Sequence, residues 1–160
     1  MPKVPSPRPR SDGATDRHFM IVASQYNAGY VKGLVDHLLA ELRALVPGVT
    51  TTLLQVPGAF EIPVVVREIA SQKNGGDGII AVGVILKGET DHAENLSRSV
   101  TDSLQRIAVA QAIPVINVVL SFDNEDQARV RCLEHKINRG TEAARTAVEM
   151  SNVMSKLRAN

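Results

Sequence analysis

From residue 18 onward, short β-rich runs alternate with helical stripes. The first run, HFMIVAS at 18–24, is compact, apolar and of strand length. Behind it Val31, Leu34, Val35, Leu38, Leu39, Leu42 and Leu45 recur at intervals of three and four, the stripe of one helix face. Pro47-Gly48 ends that helix. VTTTLLQV (49–56) is β-branched and predicts a second strand, closed by Pro57-Gly58. A shorter helix is expected over 60–73, ended by KNGGDG (73–78). GIIAVGVIL (78–86) predicts a third strand, apolar throughout as a strand covered on both faces must be. Leu96, Val100, Leu104, Ile107 and Ala108 mark a helix over 92–111. IPVINVVL (113–120) predicts the fourth strand, its proline tolerable near the start. Two helices close the chain, 124–135 and 139–157, the second expected to turn Ala143, Ala147, Met150, Val153, Met154 and Leu157 inward.

Strands separated by helices imply right-handed βαβ crossovers, and so a small parallel sheet with helices on both faces. The class is α/β, a three-layer α/β/α sandwich on four parallel strands. We expect one domain over 17–160, preceded by an arm, residues 1–16. That arm opens MPKVPSPRPR, whose four prolines resist helix and leave it flexible or extended.

Composition narrows the possibilities. Eighteen Lys and Arg against 17 Asp and Glu leave no field to recruit nucleic acid or membrane. No apolar run approaches the roughly 18 residues that span a bilayer, and the arm has no apolar core of a secretory signal. A single cysteine, Cys132, excludes an internal disulfide or a multi-cysteine metal site and fits a reducing, cytoplasmic setting.

In an open parallel sheet a ligand binds outside the carboxyl ends of the strands. The four exits here are SQYN (24–27), VPGAFEIP (56–63), LKGETDH (86–92) and SFDNED (121–126). Gly88 allows close backbone approach, and Asp91 with Glu94 has the spacing of a capping box. Unpaired amides at a helix start favour an anion such as phosphate, although Glu89 and Asp91 oppose it unless they turn away. His92, in the first helical turn, can give and take protons near neutral pH; a solvated helix start with an incidental histidine is the alternative. Glu61, between Phe60 and Ile62, either faces solvent or accepts hydrogen bonds from a ligand. Tyr26 either packs at the core edge or stacks on a flat heterocycle.

Several chemistries lack their motifs. There is no GxGxxG or GxxxxGK[ST] phosphate loop, no GxSxG elbow, and no clustered ligand set for zinc. His18, His37 and Cys132 belong to no constellation and are expected to be structural. SQYN carries no acid after the first strand, against a signal-receiver domain.

VPGAFEIP, VGVILKGETDH, IPVINVVLSFDNEDQARVR and NRGTEAARTAVEM, in that order and at matching separations, resemble the lumazine synthase family over nearly the whole chain from residue 18. The resemblance implies a flavodoxin-like sheet. It also implies condensation of 5-amino-6-(D-ribitylamino)uracil with 3,4-dihydroxy-2-butanone 4-phosphate, without metal or organic cofactor. By position, Tyr26 would stack on the pyrimidine with Asn27 beside it. Ala59, Phe60 and Glu61 would bind the ribityl chain, and Val84, Ile85 and Leu86 would run along the heterocycle. Gly88, Glu89 and Thr90 would form the phosphate-side loop, His92 would shuttle protons, and Arg131 would hold the phosphate. Asn117 matches a position near the heterocycle that often comes from a neighbouring subunit.

The chain departs from the family pattern at Gln25 and Lys87, where arginine is frequent, and at Ala93, where an aromatic is frequent. Between Arg131 and Gly140 it lacks the glycines common there; His135 and Arg139 hold positions often basic. The resemblance further implies a homo-oligomer, a pentamer or a multiple of it, with shared active sites. The glycine-poor segment inclines the expectation to free pentamers over an icosahedral shell. A flavin or lumazine binder on the same fold is the competing reading, disfavoured by the Arg131 and His92 pair.

Overall fold

The computed structural model describes residues 3–11, 13–73 and 75–159. Met1, Pro2 and Asp12 of the expected arm, and Asn74 of the KNGGDG turn, lie outside them. Within them run β1 (His18–Ser24), α1 (Ala28–Leu45), β2 (Thr50–Val56), a 3-10 turn (Ala59–Glu61), α2 (Ile62–Ser71), β3 (Gly78–Leu86), α3 (His92–Gln111), β4 (Val115–Phe122), α4 (Glu125–Cys132) and α5 (Arg139–Arg158). The strands are all parallel in the order β2-β1-β3-β4. This is the expected α/β architecture.

β3 decides the layering. It lies inside the sheet, between β1 and β4, and all but its last residue are buried. Side chains alternate across a strand, so Ile80, Val82 and Val84 join the core under α1, α4 and α5. Ile79, Ala81 and Ile85 join the core under α2 and α3. β2 is an edge strand and leaves Leu53 and Leu54 partly exposed.

Several boundaries move. The fourth strand is 115–122, not 113–120. The amide of Ile113 bonds back to Ala108 O at the end of α3, while Ser121 and Phe122 pair with Ile85 and Leu86 and lengthen the strand. α4 stops at Cys132, well short of 135. The helix expected at 60–73 divides into the 3-10 turn and α2.

The inward face of α5 is also different. Gly140, Ala143, Ala144, Ala147, Val148, Ser151 and Asn152 are its buried positions, whereas Met150, Val153 and Leu157 are exposed. Small residues allow α5 to pack closely on α1, and Met150 and Met154 line the trough beside Val115 of β4.

The arm is tied down by a charge cluster that hydrophobic periodicity does not reveal. Glu41, buried on α1, accepts hydrogen bonds from Arg8 Nε and Nη2, both at 2.9 Å, and from Arg145 Nε of α5 at 2.8 Å. Arg145 also donates to Ser6 O. The hydrogen bonds from Arg8, opposed by burial and reinforced by Arg145, hold the Glu41 carboxyl below its ordinary 4.5. A depressed carboxylate stabilises the fold fully above its unfolded value, and that stabilisation is lost as pH falls through the folded value. Glu41→Gln is therefore expected to lower the unfolding midpoint near neutral pH by about 5 °C, with the difference from wild type shrinking below pH 4.5. The same substitution should speed tryptic cleavage after Arg10, read by mass spectrometry of the released arm.

Candidate functional site

The carboxyl ends of the strands carry most of the expected site residues. β1 leads into Tyr26 and Asn27. Asn27 takes a left-handed backbone, φ 55°, and its carbonyl opens α1 by accepting from the amides of Tyr30 and Val31. Its side-chain amide donates to Val84 O at 2.7 Å, so the start of α1 is fastened to the end of β3. Tyr26 is 73% exposed, not packed at the core edge.

The exit of β2 meets Tyr26. Ala59 anchors the 3-10 turn in the core, while Phe60 is 68% exposed. Gly58 is extended, and a Cβ there would lie 3.0 Å from Glu61 Oε2 and 3.2 Å from Tyr26 Cδ2. The carboxylate and the phenol ring thus meet over one bare backbone position. In sequence, Pro57-Gly58 registers only as turn punctuation; that Gly58 also leaves room for Tyr26 and Glu61 follows from the fold alone.

At the exit of β3, Val84 and Ile85 are buried in opposite cores, so they can offer a ligand only backbone. Leu86 is half-buried, and 87–92 are exposed. Lys87 N extends the ladder to Phe122 O at 2.9 Å, and its ammonium lies 3.8 Å from Asp123 Oδ1. Gly88 faces open space, flanked by Glu89 and Thr90. The capping box is absent: Asp91 makes no side-chain cap, and Glu94 instead accepts from Arg98 Nη2 at 2.9 Å. The first turn of α3, beginning with exposed His92, is left without a side-chain cap.

Thr90, Lys87 and Ser121 border a cavity of about 430 Å³. Ser121 also borders a second, of about 510 Å³, lined by Phe122, Gln127, Val130 and Arg131. Ser121 therefore connects the Thr90 side to the Arg131 side. Sequence reasoning placed it in a turn, whereas it is paired in β4.

Asn117 does not join this group. It lies mid-strand on the outer edge of β4, bonded to Thr101 Oγ1 at 3.3 Å and to Val119 N at 3.0 Å. At 3.3 Å per residue that is roughly 16 Å short of the strand end. It lines an apolar trough of about 830 Å³ with Val109, Val115, Met150, Met154 and Arg139.

The residues set aside behave structurally. The His18 ring contacts Thr50 Oγ1 at 2.9 Å, and His37 contacts Leu133 O at 3.2 Å beside the His135 ring. Burial pushes the Cys132 thiol up to about 12, far from a reactive thiolate. Among the described residues no group of three or more His, Cys, Asp and Glu is placed to hold a metal. Nor is any helix among them long and apolar enough to cross a membrane.

Comparison with known proteins bears on the chemistry. A family model described as 6,7-dimethyl-8-ribityllumazine synthase matches residues 16–155. The chain is 41% identical over 134 residues to a protein of that name from Paraburkholderia phymatum, covering 83% of this chain and 75% of the relative. A Chromobacterium violaceum protein of the same name is 40% identical over 140 residues, 86% of each chain. One from Leptothrix cholodnii is 36% identical over 149 residues, 91% of this chain and 92% of the relative.

Two forces hold Asn27, and substitutions separate them. Asn27→Gly removes the bond to Val84 O and should cost about 1 kcal/mol. Asn27→Ala adds the strain of an alanine at positive φ, roughly 1 kcal/mol more. Urea unfolding of both variants measures the difference.

Proposed function

The chain belongs to the 6,7-dimethyl-8-ribityllumazine synthase family, and on that premise we propose how its residues divide the family's chemistry. As a member it is a transferase of riboflavin biosynthesis, condensing 5-amino-6-(D-ribitylamino)uracil with 3,4-dihydroxy-2-butanone 4-phosphate. An amine adds to the ketone, water leaves to give a Schiff base, phosphate is eliminated, and the ribityl-bearing nitrogen adds to the remaining carbonyl and closes the ring with loss of a second water.

The observation that carries the assignment is the meeting of Tyr26 and Glu61 over Gly58 at the carboxyl edge. A flat ring stacks on exposed Tyr26, while Glu61, with Ala59 and Phe60, accepts from the ribityl hydroxyls. Asn27 stands beside the ring. Val84, Ile85 and Leu86 present backbone along the heterocycle. Gly88, Glu89 and Thr90, with the uncapped first turn of α3, face the phosphate, and the planar fork of Arg131 holds it. His92 moves protons between the nitrogen and oxygen centres. Much of the acceleration comes from holding two reactants together. The reaction needs no cofactor in this scheme, and we place it in the cytoplasm.

A single chain leaves the scheme incomplete, because Asn117 stands apart from the rest. Leu53 and Leu54 of β2, with Tyr26 and Phe60 at the neighbouring strand exits, lie exposed on one side, and Val109 and Met150 lie exposed in the trough along β4. Two unlike apolar patches on opposite edges suit a head-to-tail contact, which closes into a ring when the rotation between protomers divides the circle. We assign the homopentamer that the family resemblance implies, with sites between subunits and the β4 edge of one protomer, including Asn117, covering the Tyr26 side of the next. Residues 17–160 form the catalytic unit and 1–16 the arm.

Arg131→Ala should raise KM for the phosphate substrate about 100-fold, and His92→Ala should lower kcat about 100-fold with little change in KM. Lumazine fluorescence follows both; wild-type constants in the two variants would remove the assigned roles. If no lumazine forms from the two substrates, the flavin-binding reading takes over. Sedimentation should give five protomers, and adding Val109→Asp should break the ring and the activity together.

A further inference from the structure

The junction between α4 and α5 is organised around one side chain, Asn138, which is 1% exposed. Its amide nitrogen donates to Cys132 O at 2.9 Å and to Glu134 O at 3.0 Å. Its amide oxygen accepts from Gly140 N at 2.8 Å and Thr141 N at 3.4 Å. Both donors and both lone pairs are used, which is the full capacity of the group. The nitrogen holds the last turn of α4 and the oxygen caps the first turn of α5.

α4 needs this support. It has only eight residues, of which Ala128 and Cys132 are buried, and so short a helix has little stability of its own. Backbone contact with α1 completes the clamp. A Cβ at Gly33 would lie 2.6 Å from Cys132 O, and one at Gly140 would collide with Leu34 O. The end of α4 is therefore pressed on α1 from one side and tied by Asn138 from the other, and Arg131 is the residue immediately before the tied Cys132 carbonyl.

We propose that Asn138 is a positioning residue for the phosphate substrate, acting through Arg131. Resting on the assignment of Arg131 to the phosphate, it adds a buried residue that touches no substrate. Without the amide donors, Cys132 O and Glu134 O lose their bonds and the last turn of α4 loosens. The guanidinium fork then spreads over several orientations in place of one. Loss of a fixed orientation by an ångström is enough to cost about ten- to a hundredfold.

Asn138→Ser separates this role from capping, because serine is also a good helix N-cap but lacks the two-donor amide. KM for 3,4-dihydroxy-2-butanone 4-phosphate is expected to rise about tenfold, with KM for the aminouracil substrate within about twofold of wild type. In an Arg131→Ala background the serine substitution should add nothing, since the group it positions is gone. Equal rises in both KM values, or a full additive effect in the Arg131→Ala background, would overturn the proposal while leaving the role of Arg131 intact. An Arg131→Ala variant with unchanged KM would overturn both. If the serine variant does not assemble, Asn138→Asp, which keeps the side-chain shape and the cap but also lacks the donors, takes the same test.

Discussion

Burial of β3 on both faces is the constraint on which the rest of the structure depends. A strand without a solvated side must be covered by helices above and below, and parallel neighbours require each connection to cross the sheet. Every strand therefore ends at the same edge. Alternation sends Val84 to one core and Ile85 to the other, leaving only backbone at the strand end, and Asn27 already engages one of those carbonyls. Rigidity beneath the site and polarity above it come from the same arrangement.

Charge is used differently in two regions. On the α1 and α5 face, Glu41 is buried with two arginines against it, and the Pro-rich arm is thereby held to the body of the protein. At the carboxyl edge, exposed Lys87 and Asp123 stand 3.8 Å apart at a solvated distance, and Asp91 leaves the first turn of α3 uncapped. Paired and buried charges fix geometry; exposed ones and free helix amides remain available to an anion. Asn138 does for the α4 and α5 junction, without charge, what Glu41 does for the arm.

Much of this was legible in the residues. β1, β3 and α3 fall on their expected spans, because periodicity and Gly or Pro punctuation are local signals. The strand-exit turns singled out Tyr26, Glu61 and His92 as candidates, whereas Arg131, inside α4, entered only through the family resemblance. The misreadings share a cause. Ser121 and Phe122 look like turn residues until Ile85 and Leu86 pair with them. Asp91 and Glu94 have capping spacing, but Arg98 one turn on competes for the glutamate. Met150, Val153 and Leu157 are apolar and were expected inside, yet the small residues of α5 pack more closely on α1.

The sequence alone determined the α/β class, the alternation of elements and the family, all carried by neighbours along the chain. Only the tertiary structure decided that Tyr26 and Glu61 meet over Gly58, that Asn117 stands at the opposite edge, and that Asn138 joins two helices behind Arg131. Those relations depend on packing and hydrogen bonds between distant or differently oriented segments. The free energy that selects them is released only when the segments are brought together, so no window of neighbouring residues can display it.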